Sequence, residues 1–388
     1  MDAKIYIAKC SHYNPEDIYR HIRLFFQYVG GIRQYLKPGM KVLIKPNLCS
    51  MHPPEKAVTS HPVLLEQIVT LMMKHGAEVT IGDNPIGQVE KQLIEKIWEV
   101  SGINQVVKQT GCRKSKLDND GLKKEVLRLQ DRVIEYFISK EYLNADLVVN
   151  VPKFKTHMLT GFSGSIKNML GIIPGRSKGQ LHRFAPGKED FARVLVEVFS
   201  RRIPELTVMD AIVGLEGDGP TTRGISRPIG LLMISNDGVL VDAICTQLMG
   251  LPIDQVLTNP EAQARGLGST QPTRIYFNGF NSLEECMIKD FKLPTTFKYN
   301  NPEVVKKLFE LAKLKIAIDK ETCIRCLRCL ENCPVEAIRK EENVLLIDEN
   351  HCIQCMCCFE ICPVGAVEVS KGKFYKQLKE LRKRKNKN

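Results

Sequence analysis

Residues 323–334 read CIRCLRCLENCP, and residues 352–363 read CIQCMCCFEICP. Both stretches have the spacing C-x2-C-x2-C-x3-C-P, and the second follows the first at an offset of 29 residues. The repeat extends beyond the cysteines, because Asp319 in the first copy matches Asp348 in the second. Three closely spaced thiolates can wrap one corner of an iron–sulfur cubane, while the fourth, followed by proline, reaches the neighbouring cluster. The pattern therefore predicts two clusters that exchange one ligand.

This exchange defines a ligand set for each predicted cluster. We expect cluster one to be held by Cys323, Cys326, Cys329 and Cys362, and cluster two by Cys352, Cys355, Cys358 and Cys333. A pair of structural zinc sites is the alternative, although zinc sites normally separate their C-x2-C pairs by a longer loop. Disulfides are disfavoured in a reducing compartment. Cys357 also lies in the second loop, either as a packing thiol or as a spare ligand.

Segment 314–370 resembles the bacterial two-cluster ferredoxin domain over its whole length. The resemblance implies a small α+β domain with two [4Fe-4S] clusters related by a pseudo-twofold axis. Each cluster cycles by one electron, so an adjacent pair forms a short wire. We therefore expect a redox partner protein or a small-molecule electron donor or acceptor.

Length and composition indicate an ordinary globular protein. The 388 residues are enough for two or three domains at roughly 100 to 200 residues each. Hydrophobic residues make up 43% and charged residues 26%, which is typical of soluble chains. No apolar run approaches the roughly 20 residues of a membrane span, and Asp2 disfavours a signal peptide. We expect a cytoplasmic protein without a transmembrane segment.

The net charge of +12 is concentrated at one end of the chain. Residues 371–388 hold nine Lys or Arg and one Glu, which gives +8 and leaves +4 for the other 370 residues. The main body is therefore not a basic, nucleic-acid-binding protein. The tail could form a basic amphipathic helix that attracts anionic lipid, RNA or an acidic partner, or it could be solvated and disordered.

Residues 1–310 alternate β-branched runs with longer segments of helical periodicity. This pattern predicts an α/β domain with a mostly parallel sheet and covering helices. One helix should begin near Pro62 and end at Gly76. A linker rich in Asn, Pro and Lys is expected near 293–305. The predicted strands are 41–47, 78–84, 145–153, 206–212, 229–235 and 274–280, and the other predicted helical stretches are 87–108, 121–142 and 188–201.

Polar residues concentrate at strand ends, where open α/β sheets place their chemistry. Segment 151–183 is the densest of these regions, with cationic side chains interleaved with glycines. Such a segment could bind an anionic ligand or an additional, unknown cofactor; the alternative is a flexible glycine loop with solvated charges. It contains no P-loop motif. The candidate binding residues are Lys45, Asn47, Lys153, Lys155, Ser163 and Ser165.

Two carboxylates follow later strands. Asp218 lies in a glycine-rich turn, and Asp242 lies near a strand-to-helix transition. A turn residue and a helix N-terminal charge, respectively, are alternatives to catalytic roles.

The motifs IKPN, VNVPKFKTH, TGFSGSIKNMLG and VDAICTQLMG, spread over about 40–250, resemble the family described as domain of unknown function 362. Members of that family are often fused to a ferredoxin module, and the resemblance implies no established reaction. The order His157, Gly161 to Gly164, Lys167 and His182 is also similar to the core motif of nickel-pincer lactate racemases. That resemblance implies an acid/base role for His157, a covalent cofactor anchor at Lys167 and a nickel ligand at His182. Ser165-Ile166 departs from the racemase pattern, which has Gly-Arg at this point.

These features together favour an iron–sulfur oxidoreductase. In this hypothesis the two clusters exchange electrons with a ligand site in the α/β domain, where His157, Lys167 and His182 are the catalytic candidates. The alternative is an electron carrier whose large domain only docks a partner enzyme.

Overall fold

The structure is a computed structural model that describes residues 3–85, 87, 91–297 and 314–371. The predicted basic tail beyond residue 371 and the later part of the predicted linker lie outside these residues. The strands of the α/β part are β1 (Lys4–Lys9), β2 (Lys41–Pro46), β3 (Glu78–Asp83), β4 (Arg113–Lys116), β5 (Leu122–Leu129), β6 (Arg132–Ser139), β7 (Leu147–Val151), β8 (Lys153–His157), β9 (Gly161–Ser163), β10 (Leu206–Gly217), β11 (Gly224–Ser235) and β12 (Arg274–Asn278).

One large sheet forms the centre of this part. Its strand order is β12-β1-β11-β10-β7-β2-β3-β4, and β8 pairs with both β10 and β9. The strands from β10 to β4 run parallel to one another, and β12 is parallel to β1. Strand β11 is antiparallel to both of its neighbours, and β9 is antiparallel to β8. The predicted mostly parallel sheet is therefore confirmed.

Helices cover both faces of the sheet, and alternate residues of each strand pack on opposite sides. Val42 and Ile44 of β2 pack in one hydrophobic core with Leu64 and Ile68, while Leu43 packs in another core with Phe191. The helices of the α/β part are α1 (Pro15–Tyr28), α2 (Pro62–Lys74), α3 (Lys91–Val100), α4 (Ile103–Thr110), α5 (Lys140–Asn144), α6 (Ser165–Asn168), α7 (Gly175–Phe184), α8 (Lys188–Ser200), α9 (Gly238–Leu248) and α10 (Thr258–Ala264).

Helix α2 begins and ends as its sequence indicates. His61 is the N-cap, with its ring accepting a hydrogen bond from the backbone N–H of Val63, and Pro62 is the first helical residue. Gly76 follows the helix with φ of 85°, a left-handed conformation that glycine adopts without a steric penalty. The helix predicted between Pro62 and Gly76 is confirmed.

The helix predicted at 121–142 is wrong. Most of this segment forms the antiparallel hairpin of β5 and β6, and only its last residues belong to α5. Its apolar residues follow a period of two, with Leu127, Leu129, Tyr136 and Ile138 buried on one face. The many charged residues between them gave the segment the composition of a solvated helix.

The cysteine-rich segment, residues 314–371, forms a small α+β unit that we name the ferredoxin-type region. Two antiparallel strand pairs frame two short helices, each of which follows a cysteine loop. The predicted class of this unit is confirmed. Its elements are β13 (Leu314–Ile318), α11 (Arg328–Glu331), β14 (Ile338–Glu341), β15 (Val344–Ile347), α12 (Cys357–Ile361) and β16 (Val367–Lys371).

Within the described ranges, every helix is too short or too polar to cross a lipid bilayer.

Candidate functional site

A cavity of about 390 Å³ lies between the α/β part and the ferredoxin-type region. This volume is in the range of small-molecule sites. Both parts of the chain contribute to its wall. The polar and sulfur-bearing residues that line it include Asn47, Cys49, Asp83, Asn84, Ser163, Lys167, Asn168, Lys178, His182, Arg183, Glu331, Asn332, Cys333, Glu336, Cys357 and Glu360.

A buried ion pair supports the floor of the cavity. Lys45 Nζ lies 2.8 Å from Asp83 Oδ1 and donates to the Pro46 carbonyl at 2.7 Å. Burial lowers the pKa of Lys45 and raises the pKa of Asp83, and the ion pair opposes both shifts. Gly171 permits this arrangement, because a Cβ there would lie 2.1 Å from Asp83 Oδ1. Lys45 therefore lies beneath the cavity, where it pairs with the lining residue Asp83.

Asn47 and Asn168 connect this floor to the next buried lysine. Asn47 Nδ2 donates to Asn168 Oδ1 at 3.0 Å, and Lys155 Nζ donates to Asn47 Oδ1 at 2.5 Å. Lys155 also lies 3.0 Å from Cys49 Sγ and donates to the carbonyl of Val58. Asn47 lines the cavity, while Lys155 lies behind it.

Lys153 belongs to a different buried network. Its Nζ lies 3.0 Å from Asp210 Oδ2 and donates to the Tyr13 hydroxyl at 2.7 Å, and that hydroxyl donates to Asp210 Oδ1. Lys153 does not line the cavity among the residues described. Its polar contacts tie the start of β8 to β10 and to the N-terminal segment.

Ser163 and Ser165 flank the start of the short helix α6. Ser163 lines the cavity, whereas Ser165 is turned toward β7 and accepts a hydrogen bond from Asn150 Nδ2 at 2.9 Å. The backbone N–H groups of Ser165 and Ile166 donate to the two carboxylate oxygens of Asp242. Burial raises the pKa of Asp242 to about 7, although these two hydrogen bonds oppose the shift. Asp242 thus caps α6, and it is not at the N-terminus of its own helix.

The two catalytic candidates His157 and Lys167 converge on Glu360 of α12. His157 Nε2 lies 2.9 Å from Glu360 Oε1, and Lys167 Nζ lies 3.9 Å from Glu360 Oε2. The backbone N–H groups of Leu159 and Thr160 donate to His157 Nδ1. A neutral ring must then carry its proton on Nε2, which faces the carboxylate.

The ionisation states of His157 and Glu360 depend on the charges around them. Burial and the nearby Lys167 lower the pKa of His157 to about 4, so the ring is neutral at pH 7. Burial opposes ionisation of Glu360, but Lys167, His157 and His182 outweigh it and hold the pKa of this carboxyl below its usual range. A neutral imidazole thus faces an ionised carboxylate at neutral pH.

His182 and Asn84 carry buried polar atoms without partners. His182 stacks on Phe191 with ring centroids 4.2 Å apart, and burial lowers its pKa to about 4. Within the described part of the chain, its Nδ1 has no hydrogen-bond partner, and neither amide atom of Asn84 has one. Both residues line the cavity. Because buried polar groups are normally paired, these atoms indicate a place for a polar ligand.

Lys178 lies beside Asn84 and is also buried. Its Nζ donates to the carbonyls of Asn84 and, at 3.3 Å, Pro85. Burial lowers its pKa to about 8. The flexible glycine loop considered for 151–183 does not form, because β8, β9, α6 and α7 occupy this segment.

The cysteine loops have the same backbone in both halves of the repeat. Arg325 and Leu327 in the first loop have φ of 57° and 61°, and Gln354 and Met356 in the second have 55° and 64°. Non-glycine residues adopt this left-handed region only where the surroundings enforce it.

The fourth cysteine of each half is held in the same way. The N–H of Ala337 donates to Cys333 Sγ, and the N–H of Ala366 donates to Cys362 Sγ, both at 3.2 Å. Hydrogen bonds to sulfur are one of the means by which proteins tune such clusters.

The fourth cysteine of each half lies with the first three of the other half. Burial raises the pKa of Cys329 to about 11, and the neighbouring thiols of Cys326, Cys362 and Cys323 act in the same direction. A small cavity is lined by the other set of four, Cys333, Cys352, Cys355 and Cys358, and by Cys357 as well. All fourteen cysteines lie in the described part of the chain, and no two of them form a disulfide.

The comparisons with known proteins agree with this architecture. A model of the 4Fe-4S dicluster domain matches residues 315–363, which identifies an iron–sulfur protein of ferredoxin type. A model described as domain of unknown function (DUF362) matches residues 42–247, and the chain belongs to this family. The resemblances to the two-cluster ferredoxin domain and to the domain of unknown function 362 are thereby confirmed.

Two individual proteins are similar to this chain. Thylakoid-associated protein sll1697 of Synechocystis sp. is 28% identical over 327 residues, which cover 79% of this chain and 97% of that protein. The lactate racemase apoprotein from Thermoanaerobacterium thermosaccharolyticum is 13% identical, with a TM-score of 0.38 over 63% of this chain and 57% of the racemase chain. The similarity to the racemase is real but distant, and it assigns no role to any residue here.

Sequence reasoning missed Glu360 as part of this site, and it noticed Lys178 only as one of the cations of segment 151–183. Glu360 lies between the last two cysteines of the C-x3-C spacing, and its partners are about 200 residues away in sequence. The matching residue of the first half, Glu331, is also a glutamate, which was the one available signal. Asn84 was noticeable only as part of a polar strand end.

Proposed function

We propose that this protein is an iron–sulfur oxidoreductase in which two [4Fe-4S] clusters exchange electrons with a small polar ligand in the cavity between its two parts. Cluster one is held by Cys323, Cys326, Cys329 and Cys362, and cluster two by Cys352, Cys355, Cys358 and Cys333. The convergence of each set, the matching loop backbones and the dicluster match support this assignment. The clusters would supply one-electron transfer.

One observation carries the link between the clusters and the cavity. Cys333, a proposed ligand of cluster two, lines the same cavity as Lys167 and His182. Cys326, a proposed ligand of cluster one, is solvent-exposed. We therefore assign cluster one to exchange with an external partner and cluster two to exchange with the cavity.

The cavity residues fit acid/base and binding roles. His157 presents a neutral Nε2–H toward Glu360, so it is suited to hold or pass a proton. The Lys167 ammonium supplies positive charge to the ligand, and Asn84 and His182 provide unpartnered hydrogen-bonding atoms. Ser163 and Asn47 complete the polar wall, while Lys45, Lys155 and Ser165 hold that wall in place.

The composition of anaerobically purified protein tests the cofactor assignment. We expect about eight iron and eight sulfide per chain. Protein loaded only with zinc would contradict the assignment. Nickel above background, or a mass increase on Lys167 in the denatured chain, would identify the additional cofactor that the racemase resemblance implies.

Ligand-dependent spectra test electron exchange with the cavity. The dithionite-reduced protein should be reoxidised by a subset of small polar molecules, and Lys167→Met should abolish this response. Lys320→Met is the matched control, because Lys320 is an exposed lysine of the ferredoxin-type region. If Lys167→Met and wild type respond identically to every molecule, the enzyme hypothesis fails. The electron carrier whose large domain docks a partner enzyme would then be favoured.

A reducing location such as the cytoplasm is part of this proposal, because cluster cysteines must stay reduced before assembly. The relative from Synechocystis is described as associated with thylakoids, which is compatible with attachment to a membrane surface. Cell fractionation with an antibody against the chain tests this location.

A further inference from the structure

Glu360 connects the ferredoxin-type region to the catalytic candidates of the α/β part. It lies in α12 between Cys358 and Cys362, which are proposed ligands of different clusters. Its side chain is 5% exposed. The carboxylate reaches both His157 and Lys167, at 2.9 Å and 3.9 Å. No other acidic side chain of the described residues is within ion-pair distance of either His157 or Lys167.

The two partners depend on Glu360 in different ways. The Nδ1 of the His157 ring accepts two backbone N–H groups, and its Nε2 lies 2.9 Å from Glu360 Oε1 without the geometry of a hydrogen bond. The backbone N–H groups therefore orient the ring, and the carboxylate lies in front of its Nε2. The Lys167 ammonium is farther from the carboxylate, at 3.9 Å, and it lines the cavity. The carboxylate of Glu360 balances its charge. A buried carboxylate without these partners would be strongly destabilising.

The repeat provides an internal reference for this arrangement. Glu331 occupies the equivalent position of the first half, between Cys329 and Cys333, and it also borders the cavity, but it is exposed to solvent. The described residues give it no ion-pair partner. Equal sequence position therefore does not explain the contacts of Glu360. They arise because α12 packs against the α/β part, where Met356 and Phe359 share a hydrophobic core with Leu159.

We propose that Glu360 is a positioning residue that the ferredoxin-type region contributes to the cavity, where its carboxylate holds His157 and Lys167 and couples the charge of the clusters to the cavity. This inference rests on the proposed function, because it requires clusters beside a working cavity. A negative charge fixed in a buried position acts strongly on a nearby redox centre, whereas an exposed one is screened by water.

Redox titration of the anaerobic holoprotein, followed by electron paramagnetic resonance, tests the proposal. Glu360→Gln removes the buried charge and should favour reduction of the neighbouring cluster by about tenfold, which is about 59 mV for a one-electron couple. Glu331→Gln removes the same formal charge at the equivalent position and should shift the equilibrium by less than about twofold. Equal shifts in the two variants would overturn the proposal.

A double-mutant cycle separates positioning from simple charge removal. His157→Asn exchanges one neutral side chain for another, so its direct electrostatic effect on the clusters is small. In the wild-type background it should nevertheless shift the reduction equilibrium severalfold, because Glu360 loses a partner. In the Glu360→Gln background the same substitution should have no effect. Additive shifts would contradict a positioning role.

Failure of this inference is distinguishable from failure of the proposed function. If the cavity molecules still reoxidise the clusters but the two glutamine variants behave alike, only the role of Glu360 is overturned. If wild-type clusters respond to no cavity molecule, the proposed function fails, whatever the glutamine variants do. Iron and sulfide content is measured for each variant. If Glu360→Gln loses its clusters, Lys167→Met tests the coupling from the α/β side. The reduction equilibrium of the neighbouring cluster should then shift toward the oxidised state. An unchanged equilibrium would count against the proposal.

Discussion

The two halves of the cysteine repeat have one spacing and two environments. In the first half, Ile324 is 61% exposed and Cys326 is exposed, so its loop faces solvent. In the second half, Cys355 is 8% exposed and Met356 is 2% exposed, because this loop packs against the α/β part. The same motif therefore produces one loop that faces solvent and one loop that is buried against the α/β part, while both halves contribute residues to the cavity wall. The two proposed clusters therefore differ in their surroundings because of how the region packs on the α/β part, and not because of the spacing of their ligands.

The largest expected effect is the loss of one cluster at a time. Cys333→Ser should remove cluster two and Cys362→Ser should remove cluster one, so each variant should fall from about eight to about four iron per chain. Electron paramagnetic resonance of the reduced variants should show different remaining signals. Cys357→Ser is the control and should keep both clusters. If Cys333→Ser and Cys362→Ser lose the same signal, the exchange of ligands between the halves is wrong.

The wall of the cavity should depend on the buried ion pair between Lys45 and Asp83. Gly171→Ala places a methyl group 2.1 Å from Asp83 Oδ1 and 2.6 Å from Lys45 Nζ. Disrupting this pair should cost about 3 to 5 kcal/mol of stability. Thermal unfolding of the anaerobic holoprotein measures the effect. Gly187→Ala is the matched control, because its nearest neighbouring atom would be 4.0 Å away. Equal melting temperatures for the two variants would contradict the role of this ion pair.

A smaller effect concerns the helix that carries Lys167 toward the second half. Asp242 caps α6, and burial raises its pKa from the usual 3.8 to about 7. The folded state then binds a proton that the unfolded state has released, so stability is greatest below pH 4 for this group and falls as the pH rises to 7. Asp242→Asn should flatten this part of the stability profile. Urea unfolding at pH 5 and pH 7 tests it, and an unchanged slope would show that Asp242 does not titrate in this window.

The sequence was informative wherever the deciding contacts are local. The cysteine spacing predicted which thiols converge, because each loop wraps its site within a few residues. Strands β2, β3, β7, β10, β11 and β12 of the large sheet were predictable for the same reason, since β-branched runs mark buried strands. Strands β1, β4, β8 and β9 were not predicted. The hairpin formed by β5 and β6 was mistaken for a helix, because alternating charges concealed its period of two.

The candidate site was only partly predictable. Asn47, Ser163, Lys167 and His182 line the cavity, while Lys153 contributes to a separate ion pair with Asp210. Glu360 could not be distinguished from Glu331 in the sequence, because the difference between them arises only when the second half docks. Residues that gain their role from tertiary packing leave no pattern in the local sequence.

The most direct test of the account asks whether one cluster senses the cavity and the other does not. Wild type and Lys167→Met are titrated anaerobically, with Lys320→Met as a control that removes the same charge from the exposed surface of the first half. We predict that Lys167→Met lowers the reduction potential of a single cluster, while Lys320→Met leaves both nearly unchanged. If Lys167→Met moves the potential of neither cluster, or moves both equally, the assignment of cluster two to the cavity is contradicted.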